Sequence, residues 1–209
     1  MVRYSESGPT RLLSFLLNKG CMYMKVLHYN ILNGCRTEER YQMLMEWLHQ
    51  SNYDVVSFNE MNEWTAAEFQ QEMEKIGFPH TYFFMMESSN YHIGIAAKFP
   101  IEHIHQIEEK PFHHGMLHVK IQDKHFIVTH LCPFEAAYRE SETKYMANYI
   151  QAIQEPLLVM GDLNTLSPLD KAYYDRDEVL DEMKSRQRVS LQHIHQGQIN
   201  YVPMKTLLD

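Results

Sequence analysis

Apolar and polar positions along the chain follow two periods, and the switches between them mark out the elements. Lys25–Tyr29 is a short β-prone run ending at Asn30, with a turn signal at Asn33-Gly34, so a strand is predicted to deliver Asn30 to a loop. From Thr37 to Gln50, Tyr41, Leu44, Met45 and Leu48 recur at i, i+3, i+4 and i+7, the spacing of an amphipathic helix with Thr37 as N-cap. Asp54–Phe58 reads as a compact strand leading into Asn59-Glu60. Thr65-Ala66-Ala67-Glu68 then has the form of a capping box, and the helix it opens ends near Gly77. The period shortens after this βαβα opening. Strands are predicted over Tyr91–Ala97, closed by Pro100, over Gly115–Ile121 and over His125–Leu131, forming an antiparallel meander. Glu135–Gln154 is again helical, with Tyr138, Tyr145, Met146 and Tyr149 as candidate buried positions. Pro156 stops it before the strand Leu157–Met160, which opens into Gly161-Asp162-Leu163-Asn164. Ser167-Pro168 supplies an N-cap and N1 pair for a further helix, while the chain from Arg186 onward is polar and weakly patterned.

Such mixing of α/β units with hairpins predicts an α/β fold, a layered sandwich of two sheets with outer helices. At 209 residues with 44% hydrophobic and 22% charged positions, composition fits one globular domain, and no apolar run approaches the roughly 20 residues of a membrane span. Residues 1–23, with the short apolar run Leu12–Leu17, read as a leader, poorly ordered or a short helix, ahead of a domain over residues 24–209. The formal charge of −8 argues against bulk electrostatic binding of nucleic acid, but a cation held in an acidic cleft can still attract phosphate. Cys21, Cys35 and Cys132 have neither disulfide-framework nor CxxC spacing, which suits a reducing, cytoplasmic setting. Among the 13 histidines, the i, i+2 pairs His103/His105 and His193/His195 read as surface residues, and His113-His114 as a turn pair outside any site. Tyr82–Met86 reads as core or sheet face.

Five polar residues, Asn30, Glu60, His130, Asp162 and Asn164, fall at or just beyond the ends of predicted strands, where layered α/β proteins commonly build their sites. Four segments carry them in order: Val26–Gly34, Asp54–Glu60, Ile127–Leu131 and Val159–Asn164. These resemble successive motifs of the endonuclease/exonuclease/phosphatase superfamily, and His92–Ile101 is similar to the family's central strand, so the likeness spans roughly Met24 to Pro168. The resemblance implies a deoxyribonuclease I-like sandwich of two mixed sheets flanked by helices, and a hydrolase of phosphoric esters using Mg²⁺ or Mn²⁺. It implies Glu60 as the main metal ligand with Asn30 beside it, and Asp162 as the residue that orients or deprotonates water. Asn164 would hold phosphate or nucleophile, and His130 would donate to the phosphoryl oxygens.

Two features depart from the family pattern. Tyr91-His92 stands where many members have Asn and Gly. No Ser-Asp-His occurs anywhere, and Tyr201–Leu208 reads as an unfinished helix, so the chain is expected to stop short of the family's last strands. Alternative readings are a phosphate-binding or interaction protein that keeps the fold without complete chemistry, and a histidine-rich transition-metal protein. Nucleic acid, nucleotide, phosphoinositide and lipid headgroup all stay open as the phosphorylated partner.

Overall fold

The structure is a computed structural model that describes residues 2–4, 13–15 and 23–209. Most of the expected leader, Cys21 included, lies outside the described residues. Within it, β1 (Val2–Tyr4) pairs antiparallel with β2 (Leu13–Phe15).

Two four-stranded sheets form the body. The first contains β3 (Val26–Asn30), β4 (Val55–Asn59), β5 (His80–Phe84) and β6 (Ile93–Ala97) in the order β3-β4-β6-β5. The second contains β7 (Ile101–Ile107), β8 (Met116–Ile121), β9 (Lys124–His130) and β10 (Leu157–Asp162) in the order β10-β9-β8-β7. Each sheet has one parallel pair, β3/β4 and β9/β10, with all other neighbours antiparallel. Parallel neighbours need a long crossover. Helix α1 (Glu38–Ser51) supplies the first and α3 (Ala136–Ile150) the second, while α2 (Ala66–Lys75) packs outside the first sheet beside α1. Thr65 caps α2 as expected, Glu68 N donating to its Oγ1 at 3.1 Å, while the Glu68 carboxylate pairs with Arg36 instead of closing the box. The central meander is divided between the sheets: β6 closes the first, Lys98–Pro100 crosses over, and β7 begins the second. Strands β5 and β7 escaped the sequence pattern because β5 ends in three consecutive aromatics and β7 is an exposed polar edge, so neither alternates cleanly.

Period-two alternation sorts each strand between two apolar layers. Leu27, Val56 and Phe58 face α1 and α2 with Trp64 and Phe69. Val55, Ile93, Ile95 and Ala97 face Leu117, Val119, Phe126, Val128 and Met160 across the gap between the sheets. Met116, Ile127 and Leu131 meet Met146 of α3 on the far side. Each of the Val, Leu, Ile, Phe and Met side chains among these stabilises by about 1.5–3 kcal/mol when fully buried. Beyond β10 the chain is short helices and one hairpin: α4 (Lys171–Tyr174), α5 (Asp177–Ser185), α6 (Gln187–His193), β11 (Ile194–His195), β12 (Gln198–Ile199) and α7 (Val202–Leu208).

One glycine fixes how β10 seats against β9. At Gly161, opposite Thr129 with φ 156°, a Cβ would lie 1.8 Å from the Thr129 carbonyl oxygen. Gly161→Ala is therefore expected to cost roughly 2–4 kcal/mol, read as a fall in Tm of about 5–15 °C. An unchanged melting curve would contradict this seating.

Candidate active site

The inner face of the sandwich turns polar at one end. On β3 the inward set is Val26, His28 and Asn30; on β4 it is Val55, Ser57 and Asn59; on β9, Phe126, Val128 and His130; on β10, Leu158, Met160 and Asp162. The same alternation that buries the apolar members therefore aims the last member of each strand at one point between the sheets. Glu60 and Asn164 follow in the next turns, with φ of 59° and 45°. Non-glycine residues in that region are strained and persist where the surroundings hold them.

The hydrogen bonds show what holds them. Asn30 Nδ2 donates to Glu60 Oε1 at 2.8 Å and to Asp162 Oδ2 at 2.9 Å, bridging two carboxylates from different sheets. Asp162 N donates to Asn59 Oδ1 at 2.7 Å, a second cross-sheet tie. Asn164 N donates to Asp162 Oδ1 at 3.1 Å, and its Nδ2 reaches the Leu131 carbonyl at 2.9 Å. Glu60 Oε2 accepts from Asn33 N at 3.0 Å, and its carbonyl accepts from Gly34 N at 2.7 Å. These bonds fasten a turn in which Leu32, Asn33, Gly34 and Cys35 all have positive φ. Gly34 cannot carry a side chain there, since a Cβ would sit 2.2 Å from the Asn62 carbonyl oxygen.

His130 is buried, with Nε2 4.0 Å from Asp162 Oδ2 and an unpartnered Nδ1. Burial pushes its pKa down against the opposing pull of the Asp162 and Glu60 carboxylates, which favours the neutral imidazole in the metal-free protein. His114, read from sequence as a turn residue outside the site, lies directly on it. Its ring stacks on His130 at 4.6 Å and 29°, and its Nδ1 is 2.9 Å from Ser89 Oγ. Tyr91 packs against both imidazoles. No periodicity betrays such a stack, because it joins the start of β8 to the end of β9. Asn59 was legible only as the neighbour of Glu60, although its inward register on β4 marks it. Of the expected surface histidines, His103, His105 and His195 are exposed, but His193 is half-buried, and burial lowers its pKa to about 4.

All five residues singled out from the sequence thus converge. One ligand atom from each of Glu60, His130 and Asp162 falls within a mutual 4.8 Å. Among the described residues neither carboxylate has a Lys or Arg in ion-pair range, so the pair's charge is balanced only by amide donors. Two unneutralised carboxylates beside an amide side chain form the oxygen-rich donor set that suits a hard divalent cation.

A two-sheet α/β sandwich with carboxylates, amides and a buried histidine gathered at its strand ends defines a deoxyribonuclease I-like protein. The chain belongs to the Endonuclease/Exonuclease/phosphatase family, whose profile matches residues 27–182. No curated protein matches the sequence. Among solved structures, an AP endonuclease from Archaeoglobus fulgidus superposes with a TM-score of 0.61 at 17% identity, covering 88% of this chain and 68% of that one. ANGEL2, a 2′,3′-cyclic phosphatase, superposes at 0.54 with 16% identity, covering 71% of this chain and 55% of that one. The chain therefore spans about half to two-thirds of the length of these neighbours. No helix among the described residues is long and apolar enough to cross a membrane.

Proposed function

We propose that this domain hydrolyses a phosphoric ester with the help of Mg²⁺ or Mn²⁺. The observation that carries the reading is the convergence of Glu60, Asn30, His130, Asp162 and Asn164 from both sheets in a member of this family. Glu60 and Asn30 would hold the ion, with Asp162 at its border. A divalent cation there supplies positive charge to the phosphoryl oxygens and lowers the pKa of nearby water. Asp162 then accepts the proton of the attacking water, held in aim by Asn59, Asn30 and Asn164. Asn164 keeps its backbone N–H on Asp162 and orients the nucleophile. His130 donates a hydrogen bond to a phosphoryl oxygen as charge builds there. The free, buried thiols of Cys35 and Cys132 suit a reducing, cytoplasmic compartment.

Glu60→Gln is expected to weaken Mn²⁺ binding in titration calorimetry by about tenfold or more, with the circular dichroism spectrum unchanged. Equal affinity in the two proteins would remove Glu60 from the ion's shell. Turnover is tested on a panel of phosphodiesters and phosphomonoesters with and without Mg²⁺. Metal binding without turnover of any of them would favour a phosphate-binding role instead.

A further inference from the structure

Helix α3 turns two charged side chains inward. Arg139 and Glu142 share the buried face with Ala136, Thr143 and Met146, and they are 1% and 0% exposed. A carboxylate in such a place is costly unless its oxygens are used. Glu142 spends both on main-chain donors: Oε1 accepts from His113 N and Oε2 from Cys132 N, each at 2.9 Å. Those two N–H groups belong to different loops. One leads into β8 and carries His113-His114, and the other leaves β9 just after His130. Arg139 Nη1 donates to the Cys132 carbonyl at 2.8 Å, so α3 grips Cys132 at both its N–H and its C=O. Arg139 also donates to the Gln192 carbonyl, and Gln192 Nε2 to that of Pro133, pinning the same loop from α6. Among the described residues no Lys or Arg lies in ion-pair range of Glu142. Its partners are the loops themselves.

We propose that Glu142 is a positioning residue of the active site: its carboxylate cross-links the two loops and thereby sets the His114–His130 stack beside Asp162 and Glu60. The inference rests on the hydrolase reading for its catalytic consequence alone, since the cross-link is measurable without turnover. An ionised carboxylate can accept from both N–H groups. Once protonated, one oxygen carries a hydrogen it must donate, and one loop loses its anchor. Burial raises the Glu142 carboxyl to about 7, against the pull of the two N–H groups and Arg139. The charged group acting on it is Arg139 on its own helix, while Cys132 after β9 and His113 before β8 reach it through their backbone N–H groups. Gln at this position has one acceptor and one donor, so it copies the protonated state permanently.

The test uses the full chain, as wild type and Glu142→Gln, between about pH 5.5 and 8.5, a window around the raised carboxyl. NMR follows the backbone amides of His113 and Cys132 and the ring signals of His114 and His130. The expected result is one shared midpoint near neutrality for all four in the wild type, absent in Glu142→Gln. In parallel, kcat on a phosphodiester with Mg²⁺ should fall below that midpoint to a plateau about tenfold lower. The variant should be pH-independent and about tenfold slower, with KM little changed. Wild-type amides or rings that do not share a midpoint, or a variant that retains the wild-type titration, would overturn the proposal, and the wild-type measurement decides even if the variant fails to fold. Absence of turnover in the wild type together with the shared titration would refute the hydrolase reading and leave the cross-link standing.

Discussion

Asp162→Asn is expected to lower kcat on a phosphodiester by about 10²–10⁴-fold, and His130→Ala by a comparable factor, with KM changed far less. The reason lies in when each group acts. Asp162 is held by three ties, from its own N–H to Asn59 and from Asn30 and Asn164 to its two oxygens, so its carboxylate is aimed before substrate arrives. An amide keeps the shape but cannot take a proton. His130 meets charge that grows only as the bond to the leaving oxygen breaks, so its loss leaves ground-state binding largely intact. Steady-state kinetics with Mg²⁺ decides the matter. A variant that raised KM with kcat unchanged would move that residue from chemistry to substrate holding.

The second large effect is acid sensitivity. His118 and His125 are buried within the second sheet, His118 Nε2 and His125 Nδ1 2.8 Å apart, and His118 Nδ1 lies 2.8 Å from the Tyr149 hydroxyl of α3. Burial first, and then the neighbouring histidines, lower the His118 pKa to about 4. Burial likewise lowers His28 and His193 to about 4 and His114 to about 3. A lowered histidine contributes stability that is present above its unfolded pKa near 6.5 and is lost as pH falls toward the folded value. Glu142 has the opposite sign, since its raised pKa makes its contribution greatest below the ordinary glutamate range and lost as pH rises through about 7. The four lowered imidazoles outweigh the one raised carboxyl even with half-buried His193 discounted for solvent screening, so acidification from pH 7.5 to 4.5 should destabilise the metal-free protein. Thermal melts should show Tm lower by about 10–20 °C at the acid end, and His118→Asn should flatten that limb. A Tm indifferent to pH across this range would mean that these rings already reach water.

How much of this could be read from the residues depends on the kind of pattern each one makes. Asn30, Glu60, His130, Asp162 and Asn164 were legible because each breaks an apolar strand at its end, and their order matched a known set of motifs. The helices that turn out to link the parallel pairs were legible from the change of period, but the pairing itself was not. Helix α3 was misjudged in detail. Its tyrosines look like the buried stripe, yet Tyr145 is 37% exposed and the inward face carries Arg139 and Glu142, which by composition read as solvated. The main-chain N–H groups of His113 and Cys132 explain why the Glu142 charge is tolerated there, and the Cys132 and Gln192 carbonyls do the same for Arg139. The His114–His130 stack failed to show for the same reason: both partners are ordinary locally, and the contact is tertiary.

The amide bridge from Asn30 to Glu60 and Asp162 spans two sheets that are held apart over most of their face by a layer of apolar side chains. The distance between the carboxylates is thus set like the jaw of a caliper, by the thickness of a spacer containing Ile95, Leu117, Val128 and Met160. Changing the volume of that spacer by a methyl group alters the opening without touching a polar atom. Variants that restore a weakened site are therefore expected in the greasy interior as readily as at the rim, and the drift of one interior residue constrains which neighbours can change with it.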